Sequence, residues 1–185
     1  IKAEHMKYLA INIGPIVKTF SIARKPKEFW AASYMFSYLM QCILESFDKE
    51  RNKVELISPH YENQRIGVGL FPDRAYYLMK EEVDVNKLTD NALDTFINQI
   101  NDQGSAPTER IKKSFFHLMT VCQEYSSSAE AITKLNRLLD IMELNQMAWT
   151  PEDFGCALKY IQKANTNSPL FKMAFKQDFL RTSTL

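Results

Sequence analysis

The sequence has few of the residues that build metal sites and disulfides. Its 185 residues include three cysteines and three histidines, and no cysteine pair has the spacing of a zinc site. The cysteines, Cys42, Cys122 and Cys156, are far apart and lie in apolar contexts, which is typical of buried free thiols. The sequence therefore predicts neither a disulfide framework nor a metal site.

Net charge and long apolar runs are also scarce. Lysine and arginine number 23 against 22 aspartates and glutamates, a net charge of +1, so no global field draws the chain to nucleic acid or to a membrane. No apolar run approaches the roughly 20 residues that span a bilayer, and no secretory signal is present. This predicts a soluble, cytoplasmic protein without a membrane partner. Any contact with RNA or a nucleotide must come from a local patch.

Length and composition indicate one core of ordinary size with room for a helical annex, since 45% of the residues are hydrophobic. Residues 1–5 precede a Met-Lys pair that is typical of a natural start, and we interpret them as a remnant of cloning. Residues 6–87 are predicted to form an α/β domain. Residues 88–185 are predicted to form a helical region that packs on this domain or is inserted in it.

Apolar spacing in the first domain predicts strands and one long helix. A strand is expected near Lys7–Ile13, a helix near Glu28–Phe47, and further strands near Val54–Ser58 and Ala75–Lys80. A β-α-β-β order opens a ferredoxin-like, or palm, fold. The predicted fold class is therefore α+β.

The remainder of the chain predicts helices. One apolar stripe with helical spacing comprises Ile111, Phe115, Leu118, Met119 and Cys122. Ser127 and Glu130 form a capping box before the next helix, and Thr150-Pro151 and Ser168-Pro169 begin two more. No fourth strand is predicted to finish the sheet, so we interpret the sequence as an amino-terminal fragment.

The segment of the sequence that gives the most specific information about fold and function runs from residue 13 to residue 39. Gly14 can adopt backbone angles that other residues avoid, and Pro15 has a fixed φ suited to a helix start. A basic link then separates two helices, and the second carries Ser33 and Ser37 on one face, four residues apart. This pattern predicts a strand, a turn and a helix pair that bears small hydroxyl groups.

Three aromatic residues recur on a flank of the same helix. Trp30, Tyr34 and Tyr38 are each four residues apart. Core packing is the ordinary interpretation of such a stripe, and a docking surface for a neighbouring subunit is the rival interpretation.

These motifs resemble the large subunit of type III CRISPR effector complexes, the palm-domain protein that makes cyclic oligoadenylates, in its Cmr-type branch. The family pattern appears here as Gly14-Pro15-Ile16, Phe20, Ala23-Arg24-Lys25, Glu28, Trp30, Ser33 and Ser37. A second motif, from Gly67 to Arg74, looks like the family's turn before its next strand. Ala32 stands where a glycine is usual, and Ser21 stands where an isoleucine is common.

The resemblance implies a place in an RNA-guided antiviral complex. The implied partners are a neighbouring RAMP-type subunit, the guide RNA and the target RNA, and the implied cofactors of the full-length protein are ATP and Mg²⁺. In the family, the first palm lines one half of a composite ATP pocket. On this resemblance the nucleotide-binding candidates are Gly14, Pro15, Arg24, Lys25, Ser33 and Ser37.

Catalytic carboxylates are missing from the expected places. A palm that transfers nucleotides needs acids that hold two Mg²⁺ ions about 4 Å apart. The end of the first strand carries Asn12, residues 62–65 read Glu-Asn-Gln-Arg, and no Gly-Gly-Asp-Asp motif occurs. We therefore predict no catalytic residue here, and the resemblance implies that the active carboxylates lie in a second palm.

Two other functions remain open at this stage. Ser33 and Ser37 could be small residues where a helix crosses a sheet, in a free-standing helical protein-interaction module without nucleotide binding. An active cyclase that works alone is disfavoured by the missing acids. A downstream Gly-Gly-Asp-Asp motif would favour the palm interpretation, and a stop codon after Leu185 would favour the interaction module.

Overall fold

A computed structural model describes residues 5–24, 26–60, 71–100 and 115–145. These residues form four strands and four helices in the order β1 (Met6–Gly14), α1 (Ile16–Ile22), α2 (Pro26–Asp48), β2 (Val54–Ser58), β3 (Arg74–Met79), α3 (Val85–Ile100), β4 (His117–Tyr125) and α4 (Ser128–Leu144). The bounds of β1, α2, β2 and β3 lie within two residues of the predicted ones.

The strands form one antiparallel sheet in the order β2-β3-β1-β4. This is the strand order of a ferredoxin-like fold, in which the first and third strands lie at the centre and helices cross between strand pairs. The predicted α+β, ferredoxin-like class is therefore confirmed. The predicted domain boundary between residues 87 and 88 stays a prediction.

The predicted absence of a fourth strand is wrong. Strand β4 pairs with β1 along its full length, from Met6 opposite Tyr125 to Gly14 opposite His117. Leu118 and Cys122 pack against the core on one face of the sheet, whereas Met119 and Val121 pack against the core on the other. A strand that is covered on both faces carries apolar residues at consecutive positions as well as at alternate ones. The resulting sequence lacks the alternation of a half-buried strand and can match the spacing of an amphipathic helix.

Helices cover both faces of the sheet. Leu9, Ile11 and Ile13 of β1 face the main core, which α2 and α3 complete. Tyr8 and Ala10 face the opposite side, where Leu135 and Leu139 of α4 pack against them. Because residues alternate between faces along a strand, β1 contributes to both cores.

Local signals in the sequence account for the start of α4. Ser127 caps this helix, and its hydroxyl accepts a hydrogen bond from the Glu130 amide. The Glu130 carboxylate in turn accepts hydrogen bonds from the Ser126 amide and hydroxyl. The predicted capping box is confirmed, with its return bond shifted by one residue. The predicted helices at Thr150 and Ser168 lie outside the described residues.

The described cysteines are free thiols. Cys42 is buried, and burial raises its pKa to about 12. Cys122 is half-buried, and Cys156 lies outside the described residues. Among the helices of the described ranges, none has the length and apolar content needed to cross a bilayer.

Candidate functional site

The end of β1 places the turn that the sequence singled out. Gly14 and Pro15 are buried, joined by a cis peptide bond, and followed directly by α1. The Pro15 carbonyl accepts hydrogen bonds from the amide of Thr19, at 3.1 Å, and from its hydroxyl, at 2.5 Å. Gly14 and Pro15 thus fix where α1 leaves the sheet, and they lie beneath the surface of the described structure.

The link between α1 and α2 is tied to the first turn of α2. The Arg24 amide donates a hydrogen bond to Oε2 of Glu28, whose side chain is buried, while the Arg24 residue itself is exposed. Lys25, another predicted contact, lies outside the described residues. The link therefore presents Arg24 at the surface and keeps the Glu28 carboxylate inside.

A cavity of about 320 Å³ opens between these two helices. Its lining residues, among those that the structure describes, are Phe20 of α1 with Phe29, Trp30 and Ser33 of α2. The rings of Phe20 and Phe29 stack with their centroids 6.1 Å apart and their planes inclined by 28°. The volume is at the lower end of the range of ligand pockets, and three aromatic side chains with one hydroxyl suit a flat ring that carries a polar group.

The structure separates the two predicted serines. Ser33 is half-buried and lines the cavity. Ser37 is buried, and its Oγ accepts a hydrogen bond of 3.0 Å from the amide of Phe71. Ser33 is therefore available to a ligand in the cavity, whereas Ser37 holds the chain ahead of β3 against α2.

The three aromatic residues of the flanking stripe are separated as well. Trp30 lines the cavity and is 44% exposed. Tyr34 and Tyr38 lie in the main core with their ring centroids 6.3 Å apart, and burial raises the pKa of Tyr34 to about 12. A partner that touches this face of the described structure would meet Trp30 and not the two tyrosines.

Sequence reasoning missed two lining residues. Phe20 belongs to the family pattern but was not predicted to line a site, and no role was predicted for Phe29. Both flank the short link between α1 and α2, and aromatic residues on either side of a tight helix connection are the signal that could have paired them. The cavity thus depends on how two neighbouring helices fold back on each other.

Asn12 lies near the end of β1, where a palm that transfers nucleotides would need a metal-binding carboxylate. It is fully buried on β1, and neither its Oδ1 nor its Nδ2 atom has a hydrogen-bond partner in the part of the chain that the structure describes. Its pairing partner on β3 is Arg74, and α4 covers this face of the sheet. Residues 62–65, the second expected place for acids, lie outside the described residues. Within the described ranges, no three histidine, cysteine or acidic side chains group as metal ligands.

Comparison with known proteins identifies a matching family. Residues 8–179 match the family described as CRISPR-associated protein Cmr2, N-terminal. The matched residues include the whole of the described sheet apart from the first residues of β1. No curated protein matches the chain.

Proposed function

Because the chain belongs to the N-terminal family of Cmr2, the large subunit of type III CRISPR complexes, we propose that it contributes one wall of an ATP pocket. The cavity between α1 and α2 is the observation that carries this proposal. It lies in the segment whose motifs first indicated the family. The whole site would form when a second palm, with its own carboxylates, faces this wall.

The lining residues suit an adenine nucleotide. Aromatic faces such as those of Phe29 and Trp30 stack on nucleobases, and each stacked base contributes about 1–3 kcal/mol in proteins that bind single strands. The hydroxyl of Ser33 can donate to, or accept from, a ribose or phosphate oxygen. Arg24, exposed on the link, supplies a positive charge for the phosphates. This wall binds and orients the nucleotide.

Magnesium belongs to the other half of the proposed site. The described lining residues are aromatic side chains and one hydroxyl, and these are poor ligands for a hard cation that prefers carboxylate oxygens. Mg²⁺ and the phosphoryl transfer chemistry would therefore belong to the second palm. No catalytic step is assigned to this chain.

Substitution of the two serines tests the pocket. In a protein that contains this chain together with the second palm, Ser33→Ala is expected to weaken ATP binding about fivefold, the equivalent of one hydrogen bond of about 1 kcal/mol. Ser37→Ala is the matched control. Its affinity should stay unchanged, while the free energy of unfolding falls by about 1–2 kcal/mol because the Phe71 amide loses its acceptor. Calorimetric titration with ATP and urea unfolding measure the two effects. Unchanged affinity and turnover in Ser33→Ala would contradict the nucleotide assignment.

A second proposed role is the scaffolding of the complex through α1. Val17 is 75% exposed, and Phe29 and Trp30 on the neighbouring helix are also partly exposed. Exposed apolar patches are typical of surfaces that another protein covers, and we propose that these three side chains belong to one such surface. In a type III complex, the neighbouring RAMP-type subunit beside the guide RNA is the proposed partner.

Val17→Ser is expected to weaken assembly with that subunit about tenfold, because a buried valine contributes about 1.5 kcal/mol or more to an interface. ATP binding should be unchanged, since Val17 does not line the described cavity. Ile141→Ser on α4 is the matched control, because Ile141 is also an exposed aliphatic residue. Co-purification and titration of the two subunits measure the effect. Equal assembly by both variants would place the interface elsewhere.

A further inference from the structure

We propose that Glu28 is a positioning residue that fixes the two sides of the cavity relative to each other. The inference rests on the proposed function of the cavity. Glu28 does not line the cavity among the described residues, and it would act through Phe20 on one side and through Phe29 and Trp30 on the other.

The burial of Glu28 is unusual for its residue type. Its side chain is 7% exposed, although glutamate is seldom buried unless it is paired. Removing a carboxylate from water is costly, and hydrogen bonds to fixed donors offset that cost. The described donor is the Arg24 amide, and the location in the first turn of α2 adds the favourable end of the helix dipole. A carboxylate is thus held at one defined point.

The hydrogen bond from Arg24 to Glu28 connects the two sides of the cavity. On the α1 side, the Ala23 amide bonds to the Phe20 carbonyl at 3.1 Å, and Arg24 is the next residue. On the α2 side, Glu28 directly precedes Phe29 and Trp30. The hydrogen bond from Arg24 to Glu28 therefore connects the end of α1, which carries Phe20, to the start of α2, which carries Phe29.

Two residues in the first half of α1 anchor the helix to the interior. The helix is seven residues long; Thr19 is buried, and Ile16 packs against the core. Phe20 is half-buried, and it stacks on Phe29. When the hydrogen bond between Arg24 and Glu28 is lost, we expect the ring of Phe20 to move while the sheet and the main core keep their packing.

Glu28→Ala and Glu28→Gln separate positioning from general stability. The glutamine keeps an oxygen that can accept from the Arg24 amide, so it should restore what the alanine loses. Glu45→Ala is the matched control, because Glu45 is an exposed glutamate on the same helix. All variants carry Trp149→Phe, which leaves Trp30 as the single tryptophan of the chain.

Two measurements use the 185-residue chain, and one uses the protein with both palms. Hydrogen exchange of the amides at positions 20–25, 27 and 28 and the emission wavelength of Trp30 report the geometry of the cavity. We expect Glu28→Ala to speed exchange at the Arg24 amide at least tenfold, to shift Trp30 emission to the red, and to weaken ATP binding about tenfold. Glu28→Gln and Glu45→Ala should match the parent protein in all three measurements.

The outcomes distinguish this inference from the proposed function. Unchanged exchange and emission in Glu28→Ala, or equal losses in Glu28→Ala and Glu28→Gln, would overturn the positioning role. If the parent protein with both palms does not bind ATP, the proposed function fails, and the exchange and emission results still decide the role of Glu28. If Glu28→Ala does not fold, Glu28→Asp, with a stem one methylene shorter, takes its place in the same measurements, and parent-like exchange and emission in that variant overturn the inference.

Discussion

Replacing Asn12 by aspartate is expected to lower the free energy of unfolding by roughly 3–5 kcal/mol, the cost of a buried charge without a partner. Asn12 is 0% exposed, and neither of its side-chain amide atoms has a hydrogen-bond partner among the described residues. Arg74 is its neighbour across the ladder, but the Arg74 guanidinium already donates to three side chains of α4. An aspartate at position 12 would therefore be buried without compensation, or it would take up a proton.

Asn12→Leu provides the matched control. It removes both unpaired polar atoms and keeps a similar volume, so the protein should gain about 1 kcal/mol or more in the free energy of unfolding. Urea unfolding of both variants, with and without Mg²⁺, measures the two effects. Mg²⁺ should not restore the stability of Asn12→Asp, because α4 covers this face of the sheet. An Asn12→Asp protein that is as stable as the parent and is further stabilised by Mg²⁺ would contradict the expectation that position 12 is closed to a metal ion.

The sequence predicted the first half of the sheet well because the signals there are local. The Gly14-Pro15 turn ends β1, and an alternating or clustered apolar run marks each of β2 and β3. The capping box at Ser127 and Glu130 likewise needs four neighbouring residues, and it lies where it was predicted. Features that depend on short stretches of chain can be identified without knowledge of the tertiary structure.

Strand β4 could not be identified in the same way. Its apolar residues at positions 118, 119, 121 and 122 serve two cores, one on each face of the sheet. That requirement arises from α4, which covers the second face. Single-sequence periodicity assumes one buried face, so a strand covered on both faces lacks the alternation that identifies it.

The candidate site shows the same limit at the level of single side chains. Ser33 and Ser37 are the same residue type and lie one helical turn apart, so the sequence predicts the same role for both. Ser33 lines the cavity, whereas Ser37 accepts a hydrogen bond from the amide of Phe71. Trp30 and Tyr34 differ in the same manner, since one is at the surface and the other is in the core. The elements that pack on α2 decide which turns of the helix are covered. This coverage depends on the packing of α1, α2 and α3 together, which the local sequence does not specify.

Arg74→Ala is expected to detach α4 partly from the sheet and to lower the free energy of unfolding by about 2 kcal/mol. The guanidinium donates to Oδ1 of Asn136 at 2.7 Å and to Oδ1 of Asp140 at 2.7 Å, and it lies 3.2 Å from Oε2 of Glu143. Tyr76 also donates its hydroxyl proton to Asn136. Arg74 is mostly buried, whereas both carboxylates are partly exposed, so the expected loss is well below the sum of three buried charged hydrogen bonds.

Arg74→Lys and a double-mutant cycle with Asp140→Ala test whether this network sets the location of α4. Lysine keeps the charge but lacks the planar fork that reaches several acceptors at once, so it should recover less than half of the loss. The cycle should give a coupling of about 0.5–1 kcal/mol between Arg74 and Asp140, since one partner is exposed. Hydrogen exchange in α4 should rise in Arg74→Ala and stay unchanged in α2, because the two helices pack on opposite faces of the sheet. Equal increases in both helices would mean that Arg74 supports the whole fold and not the docking of α4.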